Sequence, residues 1–253
     1  MSKICHFLIL AVMSLTAAAL TAGFASSVHA DVKDADVKDS DKAAFEAIIR
    51  DYIIANPELL RDALMDLAKR EDMARQALAM QMLFDDAGDP AMGNPDGGLV
   101  IYEFSDYNCG YCKRSFAPLM EVLKENKDVR LVFKEYPILG EPSYLASSTA
   151  LAINDKMKYL TYHSKLMSSS NRLSQLVIDK ALSEMKLPPQ KIKSDARADK
   201  YILHISATRQ LADAIGVSGT PAFVINGALF PGALDKDELT QAVKTARAEL
   251  KAK

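Results

Sequence analysis

The stretch that decides the fold, residues 99–112, reads LVIYEFSDYNCGYC. Its apolar start, Leu99 to Tyr102, predicts a short buried strand. Cys109 and Cys112 follow closely, and apolar residues then recur at the spacing of one helix face at Phe116, Leu119, Met120 and Leu123. The pattern therefore predicts a strand, a corner that carries two cysteines, and a helix.

The two cysteines lie three positions apart at the start of that helix. Their side chains therefore share one helix face and can form a disulfide. Cys109 also lies against the free N–H groups and the positive end of the helix dipole, which favours its thiolate. The thiolate is the nucleophile in disulfide exchange, so we expect the pKa of Cys109 to fall from ~8.5 into the range of about 3.5–7.5.

The N-terminus has the three parts of an export signal. Lys3 provides a positive start, an apolar run extends from about Phe7 to Leu20, and Val28-His29-Ala30 is an A-x-A-like cleavage site. We expect cleavage after Ala30, which leaves 253 − 30 = 223 residues of an exported protein. The alternative, a membrane anchor, is disfavoured because the apolar run is shorter than the ~20 residues that span a bilayer.

The number and spacing of the cysteines favour one kind of chemistry. The chain has three cysteines, and Cys5 would be lost with the signal, so that only Cys109 and Cys112 remain. A lone C-x-x-C pair in an exported protein indicates a redox catalyst, because a disulfide-stapled scaffold would need more pairs. Two alternatives remain: a small structural disulfide, which would stabilise little, and a zinc half-site, which lacks a second cysteine pair.

Composition excludes one class of partner. Hydrophobic residues make up 49% of the chain and charged residues 25%, as in ordinary globular domains. The formal net charge of −2 argues against a nucleic-acid partner. After the signal the only histidines are His163 and His204, and both fit ordinary core or surface positions in helices. We expect no metal site and no cofactor.

Three segments are predicted before the cysteine corner. Residues 31–42 are polar and form a flexible lead-in. Residues 43–84 form two amphipathic helices that meet at Asn56-Pro57-Glu58, where Asn56 is the expected N-cap of the second helix. Residues 85–98 are rich in Gly and Pro and form a linker. Two helices alone cannot bury such apolar faces, so they must pack on the main domain or on copies of themselves.

The remainder of the chain continues the alternation of strands and helices. A second strand is predicted at residues 129–133, and a helical block follows over about 142–215, with Gly216 as its stop. Asn226-Gly227 predicts a hairpin between two short strands. A final helix begins near Asp235, and the whole pattern indicates the α/β class.

This order resembles the thioredoxin fold with an inserted helical domain, as in the DsbA family of exported thiol–disulfide oxidoreductases. Cys109-Gly110-Tyr111-Cys112 matches the redox motif of the family, and Gly219-Thr220-Pro221 matches its cis-proline loop. Glu103 matches its buried acid. The DsbA-like domain spans residues 99–253. Asn56 to Leu60 resembles the N-terminal extension of the ScsC-type subgroup, which is linked to copper-stress tolerance.

The resemblance implies roles for the residues at the cysteine corner. Cys109 would be the exposed nucleophile and Cys112 the buried resolving thiol, and together they would form the redox-active disulfide. Thr220 and Pro221 would bind an extended client segment by strand addition, with the bond before Pro221 in cis. Sequence alone leaves a trans proline at the start of a strand as the alternative.

Glu103 is an acid in an otherwise apolar strand. If its carboxylate is buried and poorly paired, its pKa is raised and it could take the proton of Cys112. The alternative is a salt bridge to Lys134 on the neighbouring strand.

The pair between the cysteines, Gly110-Tyr111, is the pair of the isomerase DsbC and not the Pro-His of strongly oxidising members. The favoured function is therefore a periplasmic thiol–disulfide oxidoreductase that leans towards isomerisation. A monomeric DsbA-like dithiol oxidase is the alternative. A protein of another class, which would bind Cu(I) through Cys109 and Cys112, fits the softness of thiolates. The absence of a Met/His cluster near the motif disfavours it.

Three kinds of partner follow from the resemblance. Clients would be exported proteins that contain cysteines. A membrane redox partner would be a DsbD- or ScsB-like reductase or a DsbB-like oxidant. The ScsC-like extension, residues 43–84, implies a homo-oligomer, most simply a trimer, because its apolar faces need a partner surface.

Overall fold

The structure is a computed structural model that describes residues 39–252, with side chains described from Asp41 onward. The predicted export signal, residues 1–30, and most of the predicted lead-in lie outside the described residues. The chain divides into two compact units between Leu64 and Met65. Within residues 39–252, no helix is long and apolar enough to cross a membrane.

Two helices begin the described chain, α1 (Asp39–Ala55) and α2 (Pro57–Phe84). The start of α1 at Asp39 shows that the lead-in predicted for residues 31–42 is too long at its C-terminal end. Asn56 was expected to cap α2. Instead, its side-chain amide donates to the Tyr52 carbonyl at 2.8 Å, so that it closes the end of α1.

The second unit contains a five-stranded sheet in the order β1-β3-β2-β4-β5. Strands β2 and β3 are parallel, and the other pairs are antiparallel. The strands are β1 (Ala91–Gly93), β2 (Leu99–Ser105), β3 (Val129–Glu135), β4 (Ala222–Ile225) and β5 (Ala228–Pro231).

Two strand assignments differ from the sequence prediction. Strand β1 lies inside the predicted linker, residues 85–98, and pairs Met92 with Leu131 of β3. A strand of only three residues that ends in glycine carries no periodic signal, which explains the error. Strand β3 continues past the predicted end at Phe133, so that Lys134 and Glu135 are strand residues.

Seven helices of the second unit follow β2. The helix after the cysteine corner is α3 (Gly110–Glu125), and the last helix is α9 (Lys236–Ala252). The inserted block contains α4 (Glu141–Ala152), α5 (Lys156–Met167), α6 (Gln175–Glu184), α7 (Pro189–Asp195) and α8 (Asp199–Ile215). Gly216 ends α8 in the left-handed conformation, as its predicted role as a helix stop requires. The α/β class with a helical insertion is confirmed.

The sheet separates two apolar cores. On one face Ile101 and Phe223 pack with residues of α3, α5, α6 and α9. On the other face Phe104 packs with α8 and with Ala79 and Leu83 from the last turns of α2. These turns therefore belong to the core of the second unit, and the domain boundary predicted between residues 84 and 85 falls too late. Both faces of β2 are covered, which explains its continuous apolar run.

Candidate active site

The cysteines lie where β2 passes into α3. Cys109 is the N-cap of α3, and its Sγ accepts a hydrogen bond from the Cys112 N–H at 3.2 Å. Both cysteines are free thiols. Cys112 is fully buried, and Cys109 is 5% exposed, so Cys109 is more covered than the expected exposed nucleophile. The loop before β4 causes this, because the Thr220 carbonyl accepts from the Cys109 thiol at 3.2 Å.

The surroundings shift the pKa values of the two thiols in opposite directions. The hydrogen bond between Cys109 and Cys112 lowers the pKa of Cys109 to about 6, although burial acts in the other direction. Burial raises the pKa of Cys112 far above the ordinary range for a thiol. Cys109 is therefore favoured as a thiolate, and Cys112 is favoured as a protonated thiol.

The loop before β4 contains the Thr220-Pro221 bond in cis. Two hydrogen bonds fix the ends of this loop. The Tyr136 hydroxyl donates to the Val217 carbonyl at 3.4 Å, and the Gly232 N–H donates to the Pro221 carbonyl at 2.9 Å. These two bonds, from residues that directly follow β3 and β5, help to hold the Thr220 carbonyl against Cys109.

A buried carboxylate, Asp106, organises the loop before Cys109. Its Oδ1 accepts from the Asn108 N–H at 2.7 Å, and its Oδ2 accepts from the N–H groups of Ile138 and Leu139 at 2.8 and 2.9 Å. It therefore ties the cysteine corner to the connection between β3 and α4. The sequence prediction missed this residue, although an Asp two residues before an Asn in a strand-to-helix turn is a common turn signal.

Glu103 is buried beneath the pair, with 1% of its surface exposed. Its Oε2 has no hydrogen-bond partner. Burial raises the pKa of Glu103 to about 8, and the negative charges of Glu135 and Cys109 add to the effect. The alternative salt bridge to Lys134 is absent, because Lys134 is paired in register with Phe104, on the opposite face, and forms its ion pair with Asp89.

A second buried carboxylate, Glu135, belongs to a hydrogen-bonded cluster next to Glu103. Its Oε1 accepts from the hydroxyls of Tyr107 at 2.7 Å and Tyr159 at 2.6 Å. The Tyr107 oxygen also lies 3.0 Å from Nδ1 of His163. Sequence reasoning missed this cluster because β3 was expected to end before Glu135. A strand assignment through Glu135 would have shown a charged residue on a buried face.

The surface beside Cys109 carries an aromatic ring and two cations. Tyr111 is 61% exposed, and the Arg114 guanidinium lies 4.2 Å from the centre of its ring. Lys113 donates from Nζ to the carbonyls of Ser169 at 2.9 Å and Asn171 at 3.2 Å, which fixes the loop after α5 against α3. Across the part of the chain that the structure describes, no group of three or more His, Cys, Asp or Glu residues could hold a metal ion.

Comparison with known proteins places this geometry in a family. The family model described as Thioredoxin matches residues 85–245, and the model of the copper resistance protein ScsC N-terminal domain matches residues 41–72. The chain belongs to the DsbA family of thioredoxin-fold proteins, in its ScsC-like subgroup. DsbA-family proteins of this type are thiol–disulfide oxidoreductases, and the chain is an enzyme of this class.

Two solved structures illustrate the similarity. A thioredoxin-like oxidoreductase from Silicibacter pomeroyi DSS-3 is 37% identical with a TM-score of 0.63, over 66% of this chain and 96% of that one. ScsC from Proteus mirabilis in a compact conformation is 32% identical with a TM-score of 0.63, over 83% of this chain and 99% of that one. The expected thioredoxin-like fold with a helical insertion is therefore confirmed.

Curated relatives are more distant. Disulfide bond formation protein D from Bacillus subtilis is 24% identical over 66% of this chain and 79% of that protein. The chain also matches Na(+)/H(+) antiporter NhaA 1 from Salinispora arenicola, but it spans only 24% of that protein's length. Because the chain spans only about a quarter of that protein, its antiporter activity does not carry over to this chain.

Proposed function

We propose that Cys109 is the nucleophile and Cys112 the resolving thiol in disulfide exchange with exported client proteins. The observation that carries the proposal is the asymmetry between the two thiols. Cys109 has a pKa lowered to about 6 at the N-terminus of α3. Cys112 is fully buried with a raised pKa. Attack needs a thiolate at neutral pH, and resolution needs a second thiol held within reach.

The exchange has two steps. The thiolate of Cys109 attacks a client disulfide, one new S–S bond forms, and one client sulfur leaves as a thiolate. Either Cys112 or another client thiol then attacks the mixed disulfide, which releases the client. Attack by Cys112 oxidises the Cys109–Cys112 pair and reduces the client, whereas attack by a client thiol isomerises the client. Run in reverse, the first path oxidises a client dithiol.

Trapping of the mixed disulfide tests these roles. The Cys112→Ser protein should accumulate a client joined to Cys109, visible on a non-reducing gel, because the resolving thiol is missing. The Cys109→Ser protein is the matched control and should trap none. Equal trapping by both variants would overturn the assignment.

The Thr220-Pro221 loop is the proposed binding site for an extended client segment. Its place beside Cys109, with the Thr220 carbonyl 3.2 Å from Sγ, supports backbone pairing with a client next to its reactive cysteine. Pro221→Ala should slow release of the client, so that more mixed disulfide persists in cells. No increase in trapped complexes would exclude this role.

The apolar residues of the first unit support a homo-oligomer, most simply a trimer, as a further proposal. Phe45, Ile48, Ile49 and Tyr52 on α1 are 57–64% exposed in the single chain. The match of residues 41–72 to the ScsC N-terminal domain favours further copies of this chain as the occupant. Several catalytic domains on one stem could hold a misfolded client between active sites, which suits isomerisation. Gly110-Tyr111 between the cysteines is consistent with this role.

Point variants test the oligomer better than a truncation. Removal of residues 31–86 would delete the buried Ala79 and Leu83 and damage the core of the second unit. Ile48→Lys combined with Tyr52→Lys should give a monomer that keeps dithiol oxidation but loses isomerase activity on a scrambled substrate. Leu203→Lys, at a residue of α8 that is 67% exposed, is the control. A wild-type monomer at micromolar concentration in light scattering would exclude the oligomer.

Cellular context follows from the sequence and the subgroup. The predicted signal, residues 1–30, supports a periplasmic location, with exported cysteine-containing clients and a membrane redox partner that resets the pair. The match to a copper resistance protein domain supports a role in copper tolerance. We propose that this role is exerted through disulfide exchange on damaged clients. Binding of Cu(I) by Cys109 and Cys112 is the alternative, which equilibrium dialysis of the reduced protein would reveal.

A further inference from the structure

Two carboxylates are buried on the same face of the sheet, under the cysteine pair. Glu103 is 1% exposed and Glu135 is 2% exposed. The parallel register pairs Glu103 with Phe133 and Ser105 with Glu135, so that both acids lie on the face that packs against α3. Among the ion pairs of residues 41–252, none includes either acid. Two adjacent buried carboxylates without a cation tend to share one proton.

Hydrogen bonding decides which of the two acids keeps that proton. Glu135 receives two hydroxyl hydrogen bonds on Oε1, from Tyr107 at 2.7 Å and from Tyr159 at 2.6 Å. Donors of this kind stabilise a carboxylate. The Oε2 of Glu103 has no partner at all. The negative charge is therefore favoured on Glu135, and the proton is favoured on Glu103.

The surroundings of Tyr107 fix the direction of its hydrogen bonds. A tyrosine hydroxyl has one proton, and at 2.7 Å that proton is given to Glu135. The Nδ1 of His163, 3.0 Å away, must then carry a hydrogen and donate to the Tyr107 oxygen. Burial lowers the pKa of His163 to about 3, so its ring is neutral and adds no compensating charge. The Nε2 of His163 consequently has no partner.

We propose that Glu135 is a positioning residue: with Tyr107 and Tyr159, it holds the proton of the buried pair on Glu103, where it serves Cys112. The proposal rests on the proposed role of Cys112 as the resolving thiol. Other titratable groups face the two acids from the elements packed around them. They are Cys109 and Cys112 on α3 and Tyr162 and His163 on α5. His204 on α8 lies beside Asp89 on the other face of the sheet and acts on Glu135 from there.

The proton completes the opening of the disulfide. A client thiolate attacks Sγ of Cys109, a new S–S bond forms, the Cys109–Cys112 bond breaks, and its electron pair remains on Cys112. The attacking sulfur is oxidised and Cys112 is reduced. A bare thiolate is disfavoured at Cys112 because the site is dry. Glu103 gives its proton to Cys112, and its carboxylate then takes up a proton from solvent at a pH below about 8. When Cys112 later attacks the mixed disulfide, the two transfers run in reverse.

The pKa values of the two acids agree with this division. Burial, with the charge of Glu135 as the next cause, raises the pKa of Glu103 to about 8. Burial raises the pKa of Glu135 only to about 7, because hydroxyl donors that include Tyr159 and Tyr107 oppose it. At neutral pH, Glu103 is thus the acid that is predominantly protonated.

Infrared titration of the reduced protein tests the proposal directly. The C=O stretch of a protonated carboxyl group should persist to about pH 8 in the wild type and vanish in Glu103→Gln, which assigns the band. In Glu135→Gln the midpoint should fall by about one pH unit or more, because a buried like charge is removed. Tyr159→Phe should raise the midpoint and move part of the band to Glu135, because Glu135 loses a donor that stabilises its carboxylate.

Tyr162→Phe is the matched control. It removes a hydroxyl from the same helix, but that hydroxyl lies 3.4 Å from the Ala146 carbonyl and does not donate to Glu135. Its midpoint should equal that of the wild type. An unchanged midpoint in both Glu135→Gln and Tyr159→Phe would overturn the proposal, as would the same upward shift in Tyr162→Phe.

Opening of the disulfide by dithiothreitol gives a second readout. The ratio of the rate for Glu135→Gln to that for the wild type cancels the ionisation of the attacking thiol. The ratio should be near one at pH 5 and should fall towards pH 8, because Glu103 loses its proton at a lower pH in the variant than in the wild type. A ratio independent of pH would contradict the proposal. The infrared result does not depend on exchange, so failure of the Cys112 assignment would show separately, in the trapping experiment.

Discussion

Strand β3 buries one charged side chain on each face of the sheet, and the two side chains have different partners. Lys134 is 3% exposed and forms an ion pair with Asp89. Glu135 is 2% exposed and receives only neutral hydroxyl donors. On the Lys134 face the charge ties the segment before β1 to the sheet. On the Glu135 face the charge stays uncompensated beside a second acid, Glu103.

The difference shows two roles for a buried charge. The paired Lys134 holds the structure together, whereas the unpaired acids are available for chemistry. A buried charge that is paired with an opposite charge contributes to a fixed structure, because removal of its partner is strongly destabilising. An unpaired buried carboxylate changes its pKa and can then exchange a proton near neutral pH. The cysteine pair lies on the face of the unpaired acids, which is the face where a titratable group is useful. The four predictions below test this contrast.

The largest change in stability is expected on the sheet face where Lys134 pairs with Asp89, which we call the ion-paired face. Asp89→Asn leaves Lys134 buried without a carboxylate, which should lower the free energy of unfolding by ~3–5 kcal/mol. Urea unfolding measures it, and disulfide exchange by the folded variant should be unchanged. Asp195→Asn, which breaks the exposed pair with Lys191, is the control and should cost less than ~1 kcal/mol. A loss as small as that of the control would mean that the Lys134 pair does not anchor this face.

On the face that buries Glu103 and Glu135, which we call the acid face, the contribution to stability should instead depend on pH. The pKa of Glu103 in the folded protein, about 8, lies above its ordinary value of 4.5. Folding therefore binds a proton between these values, and the wild type loses stability as pH rises through that window. Each pH unit is worth ~1.4 kcal/mol, so Glu103→Gln should gain on the order of 3 kcal/mol over the wild type between pH 5 and pH 8.

Urea unfolding of the reduced proteins at both pH values measures this gain. Asp106→Asn is not a suitable control, because Asp106 holds the cysteine loop. Glu184→Gln, at an exposed pair with Lys165, is suitable and should show no such gain. A pH-independent difference between Glu103→Gln and the wild type would mean that Glu103 does not titrate in this range.

The sequence predicts the cysteine site but not the buried acid cluster around Glu135. The strand–CGYC–helix corner and the Gly-Thr-Pro loop have strong local signals, so the α/β fold and the cysteine site could be predicted. Glu135 could not, because the polar run Lys134-Glu135 reads as the end of a strand. Its burial depends on α5, whose Tyr159 donates a hydrogen bond to it from 24 residues further along the chain. Tyr159 and His163 come from that insertion, and helical periodicity does not distinguish them from ordinary core residues.

A smaller effect concerns the thiolate at the edge of the acid face. The pKa of Cys109 in the folded protein, about 6, lies below its ordinary value of 9.0, so the thiolate stabilises the reduced fold above pH 6. That contribution is lost as pH falls through about 6. At pH 7 only one unit counts, which is ~1.4 kcal/mol or ~30 mV of oxidising power. Unfolding of reduced Cys109→Ser and wild type at pH 5 and pH 7 measures it, and an equal difference at both values would contradict it.

The smallest effect returns to the ion-paired face. Arg130 donates from two guanidinium nitrogens to Asp86 at 2.9 and 2.6 Å. Arg130→Lys keeps the charge but loses this two-pronged geometry, which should cost about 1 kcal/mol. The infrared band of Glu103 should not move, because Arg130 lies on the other face. A shifted band would show that the two faces are electrostatically coupled.

The rate of alkylation against pH tests the central claim, the asymmetry of the two thiols, most directly. The Cys112→Ser protein retains Cys109, and the serine hydroxyl can replace the Cys112 thiol as a hydrogen-bond donor to it. This protein should react with iodoacetamide with a midpoint well below the pKa of an ordinary thiol. The Cys109→Ser protein retains the buried Cys112 and should react far more slowly across the whole range. Equal rates and midpoints for the two proteins would contradict the account.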